Sequence, residues 1–71
     1  MIIDGFEKAI IGVEHQTNRI VYDKNAMVKI LVKNKMGIMD AIEYLQHNVW
    51  DSYNGQDTPI YIERLTIKEL I

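Results

Sequence analysis

A chain of 71 residues without a single cysteine must hold its fold by burial alone. Disulfide staples, thiolate metal sites and a cysteine nucleophile are all excluded. A domain of this size buries only about 60% of the surface its unfolded chain would expose. It therefore needs either a dense core or a partner subunit. One Trp, one Phe and four Tyr leave that core to be built mainly from aliphatic side chains. Apolar residues make up 48% and charged residues 25%, a balance that supports one globular domain over residues 1–71 and argues against disorder.

Charge narrows the classes further. A net charge of −2 suits neither a strongly basic nucleic-acid tail nor an acidic mimic of DNA. No apolar run approaches the roughly 18 residues of a membrane span. Met1-Ile2-Ile3-Asp4 lacks the basic start and apolar stretch of a signal peptide, so the expectation is a soluble, cytoplasmic domain. The charges are also segregated. Lys24, Lys29, Lys33 and Lys35 fall in a stretch with no acid, and Asp40, Glu43, Asp51 and Asp57 in one with no base.

Periodicity gives the elements. Ala9 to Val13 and Arg19 to Tyr22 read as two strands around the polar loop Glu14 to Asn18, with Gly12 marking a bulge or close packing. Asp23 is suited to cap a helix over Lys24 to Lys35, with Ala26, Met27, Ile30 and Leu31 on one face and Val28 and Val32 at its margin. Gly37 is expected to stop that helix in the left-handed conformation. Ile38, Ala41, Ile42, Leu45 and Val49 form one apolar stripe of a second helix, expected to pack on Ile11, Val13, Ile20 and Ile62. Ser52 to Pro59 is rich in turn residues, and Ile60 to Glu63 alternates as a third strand. The tail from Leu65 to Ile71 reads as a helical turn or a strand extension. The order β-β-α-α-β implies an α+β domain, a three-stranded antiparallel sheet with both helices on one face.

Chemistry-bearing constellations are sparse. Glu43 and His47 lie one helical turn apart, but spacing supplies no third ligand, so neither metal nor cofactor is expected. There is no Gly-x-Ser-x-Gly, phosphate-binding glycine loop or His-Glu-x-x-His, and the acids sit where solvating charge belongs. No catalytic residue is indicated, and the chain reads as non-enzymatic. The lysine group lacks arginine and interleaved aromatics, which makes nucleic acid the lesser reading. Trp50, Tyr53 and Tyr61 are residue types found at binding hot spots, and Val28 and Val32 are candidates for the same partner surface. Trp50 can equally close the core. The aliphatic excess and two open sheet edges point to a homodimer.

Several patches together resemble a family of small phage proteins of uncharacterised activity, common in marine and cyanobacterial phages. They are Asp4-Gly5-Phe6-Glu7-Lys8-Ala9-Ile10-Ile11-Gly12-Val13, Val21-Tyr22-Asp23, Asp40-Ala41-Ile42-Glu43-Tyr44 with Asn48-Val49, Tyr53-Asn54-Gly55 and Thr58-Pro59-Ile60-Tyr61-Ile62. The family's Gly-Met-Ser-x-Glu-Glu-Ala run is shortened here to Gly37-Ile38-Met39-Asp40-Ala41, without the Ser cap. The resemblance implies action in the cytoplasm of an infected host, by binding and inhibiting a host protein. The lesser alternative is a nucleic-acid accessory protein acting through Lys24 to Lys35.

Overall fold

The computed structural model describes residues 2–53 and 55–65. Two short strands open it, β1 (Ile10–Val13) and β2 (Ile20–Asp23), then α1 (Lys24–Lys33), α2 (Ile38–Leu45) and β3 (Ile60–Ile62). A 3₁₀ turn at Glu7–Ala9 leads into β1, and another at Gly55–Asp57 precedes β3. The α+β order β-β-α-α-β is as the sequence implies. The tail from Leu65 onward lies, past Leu65 itself, outside the described residues.

The first hairpin is antiparallel. Ile10 pairs with Tyr22 and Gly12 with Val21, so Ile11 is an extra residue and the expected bulge is there. In the connecting loop the Glu14 carboxylate accepts hydrogen bonds from the Gln16 and Thr17 amides and from the Thr17 hydroxyl. Those bonds, the Thr17 hydroxyl first, hold the Glu14 carboxyl below its ordinary value of 4.5.

The sheet is mixed, which corrects the antiparallel expectation. Its order is β1-β2-β3, and β3 runs parallel to β2 through the pairs Val21–Ile60, Tyr22–Tyr61 and Asp23–Ile62. Two helical passes would by themselves leave the chain at the wrong end of β2 for a parallel strand. Asp51 to Pro59 supplies the missing return: nine residues can cross roughly 30 Å when extended. Arg19, at the start of β2, donates from Nε to the Thr58 carbonyl at 2.6 Å and fixes where the return ends.

Helix α1 begins as its sequence dictates. Asp23 accepts from the amides of Asn25 and Ala26, satisfying two of the orphan donors of the first turn. Its stop is not where glycine suggests. Gly37 has an ordinary φ of −66° and is the residue before α2. Lys35 takes the left-handed conformation instead, at φ 72°. Its amide donates to the Val32 carbonyl and that of Met36 to Leu31, the paired bonds of a Schellman stop.

The core gathers Phe6, Ala9, Tyr22, Met27 and Leu45, with Ile10, Ile20, Ala26, Ile30, Leu31, Val49, Trp50 and Tyr61 packed around it. The helix stripe is thus right at Ala41, Leu45 and Val49, whereas Ile42 is half-buried and Ile38 is 60% exposed. The strand assignment is corrected except at Ile20. Tyr22 and Tyr61 turn inward, and Ile11, Val13 and Ile62 are exposed. The bulge explains Ile11, which as the extra residue falls on the Val21 side of the sheet, whereas Val13 pairs with Ile20 and is exposed at the loop end of the edge strand. On β3 the register decides, pairing Tyr61 with buried Tyr22.

Two stability outcomes follow. Leu45 is fully buried, so Leu45→Ala is expected to cost about 2–5 kcal/mol, a large share of the stability of so small a domain. Chemical denaturation measures it. Lys35→Gly removes a left-handed side chain and is expected to stabilise by about 0.5–1 kcal/mol, raising Tm by a few degrees. An unchanged or lowered Tm would show that Lys35 carries no strain.

Candidate functional site

One concavity lies where α1, α2 and the chain just after β3 meet. It measures about 440 Å³. Val28, Ile38, Ile42 and Trp50 supply the apolar wall, and Lys24, Asp51 and Glu63 the charged part of the lining. Val28 is at the margin of α1, the position that helical periodicity leaves half-covered. Ile38 and Ile42 are the part of the α2 stripe that the core does not use.

Trp50 reaches the groove through a change of helical pitch. After Leu45 the chain continues as a π-helical turn, Gln46–Trp50, closed by the Asp51 amide on the Gln46 carbonyl. On an uninterrupted α-helix Trp50 would stand roughly 80° round from Ile42. The wider turn slows the rotation and swings the indole into line with Ile38 and Ile42. Its Nε1–H donates to the Met27 sulfur at 3.5 Å. Trp50 therefore closes the core with one edge and lines the groove with its ring, joining the two roles the sequence leaves open.

The charges are arranged by the same elements. Lys24 Nζ stands 4.4 Å above the Trp50 ring and 3.2 Å from Glu63 Oε1. One residue away on each segment, Arg64 Nε is 3.1 Å from Asp23 Oδ2. These two pairs clasp the chain after β3 to the start of α1. Both are solvated, so they set geometry more than stability.

Other candidates lie elsewhere. Tyr53 is 79% exposed and flanks a separate depression with Arg19 and Gly55. Tyr61 packs into the sheet, its ring centroid 5.9 Å from that of Tyr22. Val32 is exposed one turn beyond Val28, outside the groove lining. Asp40, Glu43 and His47 share a shallow hollow on α2, yet among the described residues no three potential metal ligands converge. The lysines divide: Lys24 is in the groove, whereas Lys29 and Lys33 line a different cleft with Lys8 and Glu7. Helical spacing singles out Val28 and residue type singles out Trp50, whereas Ile38 and Ile42 read as core because they belong to a full apolar stripe.

A scan against protein-family models returns no match, and searches of curated proteins and of solved structures return none either. Among the described residues, no helix is long and apolar enough to cross a membrane.

Burial, and then the neighbouring Tyr22, raise the ionisation of Tyr61 above its ordinary value of 10.0. A raised folded-state value means that its stabilising contribution is complete below the unfolded value and is lost as pH rises through the folded one. In an ultraviolet titration Tyr61 is expected to ionise as a late component, above the ordinary tyrosine value. Tyr61→Phe should remove that late component; its persistence in the variant would assign it to another tyrosine.

Proposed function

We propose that this chain is a non-enzymatic binding protein that engages another protein through the groove between α1 and α2. The observation that carries the reading is the convergence of Val28, Ile38, Ile42 and Trp50 on one concave surface with fixed charges beside them. An aromatic anchor, aliphatic walls and a few oriented charges are the composition of a binding hot spot. The resemblance to small phage proteins suggests the setting: the cytoplasm of an infected bacterium, with a host protein as the partner and inhibition as the outcome.

The division of the lysines weighs against the nucleic-acid alternative. On α1, Lys24 and Lys33 lie on opposite sides, about 180° apart at 100° per residue. Lys24 is already engaged by Glu63 and Trp50. A single stripe that could follow a phosphate backbone is therefore not supported among the lysines of this segment.

Ile38 is exposed, so Ile38→Glu should leave folding intact while placing a charge on the groove wall. In affinity capture from bacterial lysate, the wild type is expected to retain a protein that Ile38→Glu loses. Equal capture by both forms, or no capture beyond a control, would reject the groove. A salt titration against generic DNA and RNA tests the alternative: tight binding with a slope matching several lysine contacts would favour it.

A further inference from the structure

On the side of α1 away from the groove, a second cleft of about 440 Å³ opens between that helix and the 3₁₀ turn before β1. Phe6 and Ala9, three residues apart, are buried in the core, which turns Lys8 between them outward. Lys29 and Lys33, one helical turn apart and both exposed, form the opposite bank. Half-buried Ala26 and Ile30 give the cleft an aliphatic floor. Two elements distant in sequence thus bring three lysines to one concave surface.

We propose that this cleft receives an acidic peptide segment of another protein, with an aliphatic side chain on the floor and carboxylates toward the banks. The inference uses a different surface from the groove and does not rest on it. Charge complementarity carries it. Three lysines against Glu7 leave the lining at +2, in a chain whose formal net charge is −2. Among the described residues the ion pairs are those of Lys24 and Arg64, so none of the three lysines is neutralised within the fold. Glu7, the one acid of the lining, is turned instead onto the Gly5 amide, 3.1 Å away. Helix stability accounts for Lys33, a cation in the last turn where the dipole is negative. It accounts for neither Lys29 in mid-helix nor Lys8 on another element.

The make-up of the lining selects among anions. A compact phosphate is best held by backbone amides or by the fork of an arginine. This lining contains no arginine, and the Gly5 amide is already given to Glu7. A single-stranded nucleic acid calls for aromatic faces on which bases stack, and the lining has none. Lysine is a mobile point charge on an aliphatic stem. Lysines on both banks of an aliphatic floor suit carboxylates spaced along a chain with an apolar residue among them. Exposed charge pairs contribute little each, so a short peptide is expected to bind with a Kd on the order of 10–100 μM. The chain's own acids on α2, Asp40 and Glu43, share a hollow and make a second copy the rival occupant.

Fluorescence anisotropy of a dye-labelled peptide, Glu-Asp-Leu-Glu-Asp, with the full chain at about 20 mM salt tests the proposal. The net charge of the chain repels this probe at long range, so binding reports the cleft. Lys8→Glu and Lys29→Glu, one on each bank, are each expected to weaken binding by roughly three- to tenfold. Lys35→Glu makes the same charge change outside the lining and is expected to alter it by less than about twofold. A peptide with Ser for Leu is expected to bind several-fold more weakly, because the floor loses its contact. If Lys29→Glu disturbs α1, seen by circular dichroism, Lys8→Glu decides alone, since Lys8 lies outside both α-helices. No binding of the peptide, or equal losses in all three lysine variants, would overturn the cleft. Undiminished binding of the Ser peptide would overturn the floor contact. Tighter binding of an oligothymidine of matched charge, lost in the same variants, would reassign the cleft to nucleic acid. A sedimentation mass that rises above 8.3 kDa with concentration, and does so no longer in Lys29→Glu, would assign it to a second copy. Ile38→Glu is expected to bind the peptide as the wild type does, so either surface can fail without the other.

Discussion

Everything in this small domain converges on the burial of Tyr22. It sits on the central strand with no solvent exposure, packed with Phe6, Ala9, Met27 and Leu45. A phenol in that position needs a partner for its oxygen. The Ile3 amide supplies one, donating to the hydroxyl at 2.8 Å. The ring also meets Tyr61 from β3. One side chain thus ties the segment before β1, both helices and the third strand to the middle of the sheet. In a chain without cross-links, that convergence does what a disulfide does elsewhere.

The parts legible in the sequence are those decided locally. Asp23 announces the start of α1 because a short carboxylate before a helix has free amides to accept. Gly12 announces a bulge, and the α2 stripe announces a buried face. What the sequence hides is decided over longer distances or by small differences. Lys35 stops α1 although Gly37 is two residues away, because the chain needs its turn one position past Asn34 and accepts the cost of a side chain there. The direction of β3 depends on where Arg19 anchors the loop, a contact spanning 39 residues. The face of each strand depends on a bulge and a pairing register, which no alternation pattern four residues long can report.

The groove was legible only in part, for a related reason. Val28 stands out because a helix with a wide apolar arc must leave its edge half-covered. Ile38 and Ile42 do not stand out, since an unbroken stripe carries no mark of where the core ends. Trp50 has no sequence signal for its final position. Its place rests on a π-helical turn whose five residues look like an ordinary helix end.

Trp50 also joins two quantities that most small domains keep separate. Its nitrogen leans on Met27, a buried core residue, while its ring forms part of an outward-facing wall. Anything that grips the ring in the folded state and not in the unfolded one draws the folding equilibrium with it. Occupancy of the groove and cohesion of the core are consequently linked variables. A change at Trp50 cannot alter recognition without altering stability, whereas Ile38 is free to drift. Selection for new partners would then act first on the α2 wall, with the indole held as the fixed point of both.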